Sequence, residues 1–310
     1  MQDPLIGQQI DRYAIVELLG SGGMARVFRA VDQGLDREVA LKVVEPPRFG
    51  ADEFSARFQR EAQTLAGLQH PAIVPIYTFG RHGPFSYLVQ ELLPGPTLEQ
   101  EIRTAKAGGG FLAADAITAT IRQVAGALDY AHRRGIIHRD LKPSNLMRNT
   151  HGMMILTDFG IAKSGESLDK LTKTGMVLGT PHYLAPEQAQ GQPLTPAADI
   201  YALGVLLYET IANRVPFDDA APLAIALAHV TQPPPALRSI RPELPPAVED
   251  VVFTALAKAP EQRFPSAGAL ADALERAWAA GPAVIASPTA ALSPAQPVRP
   301  PVIRSAPAAP

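Results

Sequence analysis

The chain has 310 residues, of which 46% are apolar and 19% charged, with a net charge of -2. That balance belongs to a globular protein with a sizeable core, and it excludes wholesale binding to nucleic acid or adhesion to an anionic membrane. There is no Cys, so disulfides and thiolate metal sites are excluded; the polar start lacks the apolar core of a signal peptide, and no run reaches the roughly 20 apolar residues of a membrane-spanning helix.

The first elements read as strands. Ala14 to Leu19 enters a glycine-rich turn, Val27 to Val31 leaves it, and Glu38 to Val44 is a third apolar run closed by Pro46-Pro47. The apolar period then becomes helical, with Phe54, Phe58, Leu65 and Leu68 on one side. Ile73 to Tyr77 and Tyr87 to Gln90 are two more predicted strands around Arg81-His82-Gly83-Pro84. Beyond Pro94-Gly95 the pattern is mainly helical. A long amphipathic helix is predicted over Ala114 to Arg134, with Ile117, Ile121, Val124, Leu128 and Ala131 on one face. Further helices are predicted around Asp199–Ala212, Pro222–Thr231, Pro246–Ala257 and Ser266–Ala279. From Gly281 to Pro310 the chain is rich in Pro, Ala, Ser and Val and almost free of charge, the composition of a disordered or polyproline-like tail.

Several short segments carry chemistry. In Leu19-Gly20-Ser21-Gly22-Gly23-Met24-Ala25-Arg26-Val27 the glycines let backbone N–H groups approach phosphate oxygens, although the segment alone could equally be a tight hairpin. Lys42 ends the apolar run Val39-Ala40-Leu41, where an unpaired ammonium is costly and calls for an anion. Glu61 on the next helix can supply a carboxylate; the alternative is a strand-edge lysine that reaches solvent. In Ile137-His138-Arg139-Asp140-Leu141-Lys142-Pro143-Ser144-Asn145-Leu146, a carboxylate that can orient a hydroxyl, a cation that can neutralise phosphate and a neutral oxygen suited to Mg²⁺ share one loop. Asp158, in Thr157-Asp158-Phe159-Gly160, is a second candidate metal ligand beside a glycine.

In this order the segments resemble the protein-kinase signature set, and more narrowly the bacterial serine/threonine kinases of the eukaryotic-like type. The resemblance covers about residues 10 to 280. It implies an α+β, two-lobed fold: a leader (1–12), a small antiparallel β-rich N-lobe with one main helix (13–93), a larger mainly helical C-lobe (94–280) and a tail (281–310). ATP is expected between the lobes. Leu19, Gly20, Ser21, Gly22, Gly23 and Val27 would cover the nucleotide, with Ala25 where the family has a third glycine. Val27, Ala40 and Leu146 would sandwich the adenine, Gln90 would be the gatekeeper, and Glu91 and Leu93 would meet the adenine edge. Lys42, held by Glu61, would grip the α- and β-phosphates. Asn145 and Asp158 would hold Mg²⁺, with Mn²⁺ as an alternative. Asp140 would orient the substrate hydroxyl while Lys142 steadies the transferred phosphoryl group. Asp199 would brace the catalytic loop, and Glu187 would pair with Arg263.

The resemblance also implies protein substrates bearing Ser or Thr, from Lys142 two residues after Asp140 and from Gly179-Thr180-Pro181. Thr172 and Thr174 match autophosphorylation positions, with Arg139 as the residue that senses their phosphate. Homodimerisation through the small lobe is a further option, with no nucleic-acid partner. Cytoplasmic placement is expected, either for this chain alone or as the cytoplasmic part of a longer membrane-anchored kinase. Three rival readings have discriminators: a pseudokinase would have lost a chemical residue, a small-molecule phosphotransferase would lack the segment 179–187, and an adaptor would act through its proline-rich tail without catalysis.

Overall fold

The computed structural model describes residues 3–22, 25–46, 50–159 and 181–281. The small lobe is an antiparallel sheet in the order β1-β2-β3-β4-β6-β5. Its strands are β1 (Gln9–Ile10), β2 (Tyr13–Ser21), β3 (Ala25–Asp32), β4 (Arg37–Val44), β5 (Ile76–His82) and β6 (Phe85–Glu91). Alternation of side chains along β3, β4 and β6 gives the sheet two apolar faces. One face carries Phe28, Leu41, Val43, Tyr87 and Val89, and it is covered by Leu5, Ile10 and Tyr13. The other carries Val44 and Leu88 and packs on Phe54, Phe58 and Ala62 of helix α1 (Ala51–Ala66). Residues 3–12, expected as a separate leader, are therefore built into the lobe: β1 pairs with β2, and Leu5 and Ile10 are buried. Two buried residues around Gly7 are too sparse to give a strand period, which is why the sequence alone reads as a polar leader.

The hairpin β5–β6 runs to a two-residue turn at Gly83-Pro84, where Gly83 has a φ of 55°. Its first strand starts at Ile76, later than the Ile73 expected. The backbone just before it goes to the other lobe instead: Val74 N–H donates to the Leu156 carbonyl at 3.0 Å, and Leu156 N–H to the Ala72 carbonyl at 2.9 Å. This connection ties the end of α1 to the strand that leads into Asp158.

The large lobe contains α2 (Leu98–Ala107), α3 (Ala114–His132), the ribbon β7 (Leu146–Arg148) with β8 (Met154–Leu156), a short α4 (Pro186–Ala189), α5 (Pro196–Ala212), α6 (Pro222–Thr231), α7 (Pro246–Ala255) and α8 (Ala267–Ala279). Helix α2 starts with a reciprocal capping box between Thr97 and Gln100, a signal in the sequence that its short polar run hides. Helix α5 is apolar on nearly every side and is buried on nearly every side, so it forms the axis of the lobe. At Gly204 an added Cβ would sit 2.7 Å from the Ala255 Cβ, so the approach of α7 to α5 requires glycine there. Asp129 on α3 accepts from the backbone N–H groups of Ala267 and Gly268, each at 2.9 Å, and so caps α8 from a different helix.

One buried ion pair fixes the start of α4. Arg263 donates to both carboxylate oxygens of Glu187, at 2.7 and 2.8 Å. The guanidinium also reaches the carbonyls of Ala197, Ala257 and Lys258. Bidentate geometry and satisfied donors offset the desolvation of both charges. Removing either partner strands a buried charge, so Glu187→Ala and Arg263→Ala are each expected to cost about 3 to 5 kcal/mol in chemical denaturation. The double variant is expected to cost less than the sum of the two.

Candidate active site

The loop between α3 and β7 is organised by a single carboxylate. Asp199, 1% exposed near the start of α5, accepts from the backbone N–H of His138 at 2.7 Å and of Arg139 at 2.9 Å. His132, in the last turn of α3, approaches it with Nε2 at 2.8 Å. These bonds hold Arg139 at a φ of 67°, a left-handed conformation that costs a non-glycine residue on the order of 1 kcal/mol. Burial alone would raise the Asp199 carboxyl, but the His132 hydrogen bond and the nearby His138 outweigh it and hold it below its ordinary value. His138 is fully buried, and burial pushes its imidazole below the ordinary value, so it is neutral at pH 7. With Nε2 donating to the Thr157 carbonyl at 3.0 Å and Nδ1 accepting from Asp140 N–H at 3.3 Å, one tautomer serves both bonds.

The chain turn that follows brings the chemical groups together. Asn145 Nδ2 donates to the Asp140 carbonyl at 2.8 Å and to its Oδ2 at 3.2 Å, while Lys142 Nζ lies 3.2 Å from that oxygen. The Asn145 carbonyl accepts from Thr157 N–H and Oγ1, which ties this loop to the segment carrying Asp158. Asp158 has a φ of 54°, and its Oδ1 takes the Lys42 ammonium at 2.7 Å. Phe159, buried, stacks at a tilt on His138 with ring centroids 4.6 Å apart.

The ion pair expected between Lys42 and Glu61 is not what Lys42 makes here. Asp158 is the carboxylate within reach of β4, whereas Glu61 shares its helix face with Arg57 and Thr64 and lines a cavity of about 510 Å³ between α1 and the catalytic loop. The remaining expected residues are placed as follows. Leu19, Gly20, Ser21 and Gly22 lie at the exposed end of β2, with Gly20 opposite Val27. Val27 lies opposite Lys42, and Ala40 opposite Gln90. Glu91 is opposite Val39, Leu93 is buried with Val74 and Ile155, and Leu146 is fully buried at the start of β7. A cavity of about 20 Å³ behind Gln90 touches Lys42, Asp158 and Phe159. Gly23, Thr172 and Thr174 lie outside the described residues. Sequence reading gave no role to His132, which belongs to no motif and touches the site through Asp199, or to Thr157, which stands beside Asp158 and touches the site through His138 and Asn145.

Two oxygen donors, the Asp158 carboxylate and the Asn145 amide, suit a hard divalent cation. The Asn145 nitrogen is committed to Asp140, which leaves its amide oxygen for a metal. Among the described residues no group of three or more His, Cys, Asp or Glu side chains could hold a metal by itself, so substrate oxygens or water would complete the shell. No described helix is long and apolar enough to cross a membrane.

A β-rich lobe and a helical lobe, joined above a loop that holds Asp140, Lys142 and Asn145 opposite Lys42 and Asp158, define a protein kinase catalytic domain. The chain belongs to this family: the protein kinase domain matches residues 13–278. It is 41% identical over 264 residues to the serine/threonine-protein kinase PrkC of Bacillus subtilis, covering 85% of this chain and 40% of that protein. It is 39% identical over 277 residues to PknA of Mycobacterium tuberculosis, covering 87% of this chain and 62% of that protein. The chain thus spans two-fifths and three-fifths of the lengths of these curated relatives. The crystal structure of the Mycobacterium tuberculosis PknI kinase domain superposes with a TM-score of 0.71 at 32% identity, over 88% of this chain and 98% of that one.

The buried imidazoles set the pH response of stability. His138 is depressed by burial, and burial beside Lys258 pushes His229 down to about 3. The unfolded chain therefore takes up protons first as pH falls below about 6.5. Urea midpoints are expected to be level above pH 7 and to fall from pH 6.5 to 5. His229→Gln should make that fall shallower.

Proposed function

We propose that this chain is a protein serine/threonine kinase that transfers the γ-phosphoryl group of ATP to hydroxyls of protein substrates. The observation that carries this reading is the single hydrogen-bonded loop holding Asp140, Lys142 and Asn145, with Asp158 tied to it and paired with Lys42 from the small lobe across the cleft. No residue with a chemical role is replaced, which weighs against a pseudokinase, and the match to kinases that act on Ser and Thr weighs against a small-molecule phosphotransferase.

In the proposed reaction the protein supplies position and charge. The end of β2 and the start of β3 cover the phosphates, and Val27, Ala40 and Leu146 enclose the adenine below Gln90, with Glu91 and Leu93 along its edge. Lys42 holds the α- and β-phosphates, with Glu61 as the carboxylate that would replace Asp158 beside it. Asp158 and Asn145 would hold Mg²⁺, which neutralises charge on the phosphate oxygens when bound; Mn²⁺ satisfies the same donors. Asp140 Oδ2 receives the hydrogen bond of the substrate hydroxyl and later its proton. Lys142, already beside that oxygen, moves its charge toward the phosphoryl group as the bond to the leaving oxygen breaks.

Regulation by phosphate on Thr172 or Thr174, sensed by Arg139, belongs to the same reading and rests on sequence resemblance. Transfer from ATP with Mg²⁺ to a generic protein substrate, with phosphosite mapping, tests it. Asp140→Asn should lower turnover at least about 100-fold with ATP affinity retained, because it removes the proton acceptor and leaves the nucleotide pocket intact. Equal turnover in both proteins, or none in the wild type, would refute the assignment. Thr172→Ala/Thr174→Ala should retain ATP binding and lose most of its activity; unchanged activity would remove the phosphate switch.

A further inference from the structure

Residues 3–10 join both strands of the glycine-rich hairpin. Gly7 N–H donates to the Ile15 carbonyl at 3.0 Å and Ile15 N–H to the Gln8 carbonyl at 2.9 Å, so one part of the segment is bonded along β2. Its beginning reaches β3 instead. Arg26 Nη1 donates to the two carboxylate oxygens of Asp3 at 3.1 and 3.2 Å. The carboxylate is itself held: its Oδ1 accepts from Leu5 N–H at 3.0 Å, and the Asp3 carbonyl accepts from Ile6 N–H at 3.1 Å, a turn of the kind Asp favours. The Asp3 side chain is 11% exposed and that of Arg26 24%, so solvent and salt screen the pair only in part. The Arg26 guanidinium carbon lies 5.9 Å from the Phe28 ring centre and 5.8 Å from that of Phe85, which fixes its course over the sheet.

Arg26 stands at the far end of the hairpin. It is opposite Ser21, the last residue of β2, and just beyond them Gly22 N–H donates to the Ala25 carbonyl at 2.8 Å. The next residue, Val27, is opposite Lys42, which enters the cleft to meet Asp158. Successive side chains of a strand point to opposite faces, so Arg26 lies on the outer face with Phe28, away from the cleft. The ladder between β2 and β3 supports this end poorly. Its register shifts between Ile15 and Glu17 and again between Leu18 and Gly20, and each shift interrupts the pairing and lets the strand bend.

We propose that residues 3–10 are a strap across the outer face of β2 and β3, and that Asp3, acting through Arg26, positions the glycine-rich hairpin for the phosphates of ATP. The strap joins β2 near its start to β3 at the far end of the hairpin, and so spans both interruptions of the ladder. Asp3 and Arg26 touch no reacting atom; they are positioning residues. A hairpin already held in place loses less freedom when a nucleotide orders it, so the pair contributes to ATP affinity and not to the chemical step. This role rests on the kinase reading above, which makes the hairpin the cover of the nucleotide.

Calorimetric titration of the full chain with ATP and Mg²⁺, and separately with adenosine, tests the strap alongside steady-state kinetics. Asp3→Asn keeps the size of the side chain and removes its charge. It should weaken ATP binding about threefold to tenfold and raise KM for ATP in step, with kcat within about twofold of wild type. Adenosine has no phosphates for the hairpin to cover, and its affinity should fall by less. Asp3→Glu should recover part of the lost ATP affinity. Arg26→Gln reaches the same pair from the other side and should give a similar loss, and Asp3→Asn/Arg26→Gln should lose about as much as either change alone. Unchanged or tighter ATP binding by Asp3→Asn, an equal loss for adenosine and ATP, or additive losses in the double variant would each overturn the proposal. The kinase reading fails separately. A wild type that binds ATP and transfers no phosphoryl group refutes that reading, and the affinities of the variants then still decide the strap; a wild type that binds no ATP overturns both.

Discussion

The buried carboxylate of Asp199 is the constraint on which the site depends. A charge removed from water must be compensated by directed donors. Here the donors are two consecutive backbone N–H groups of the catalytic loop and a histidine from α3. Because those N–H groups belong to His138 and Arg139, satisfying the charge also fixes the backbone one residue before Asp140, including the left-handed turn at Arg139. Stability and geometry are the same bonds at this point. The core helix α5 holds the carboxylate, so the packing of the large lobe is transmitted directly to the position of the reacting groups.

From this anchor the arrangement extends outward by short links. His138 joins Thr157, Asn145 joins Asp140 and Thr157, and Phe159 lies on the His138 ring. Asp158 therefore inherits its position from the same loop, and Lys42 meets it from the small lobe. The sheet of that lobe, covered by α1 on one face and by residues 5–13 on the other, keeps Lys42 at a defined height over the loop. The backbone bonds of Ala72 and Val74 to Leu156 couple the two lobes a short distance from the Asp158 segment.

Much of this was legible in the sequence because the catalytic loop is contiguous. Asp140, Lys142 and Asn145 fall within six residues, and turn chemistry of that kind survives without tertiary information. Helices α3 and α6 were readable from period and from Pro at the helix start, whereas β7 and β8, three residues each, carry too little pattern to be seen. The choice of partner for Lys42 was not readable: Glu61 and Asp158 are both carboxylates, and only the placement of α1 decides between them. The same holds for Asp129, whose capping of α8 joins positions 138 residues apart.

The most direct test is the kinetics of Asp199→Asn, which keeps the size of the side chain but replaces one acceptor oxygen with an N–H donor aimed at backbone donors. If this carboxylate frames the catalytic loop, kcat for phosphoryl transfer should fall at least about 100-fold while the affinity for ATP stays within about threefold, because misplacing a reacting group by an ångström has an effect of that order. An Asp199→Asn protein with wild-type kcat would contradict the account, since Asp140 would then be held in place without the bonds assigned to Asp199.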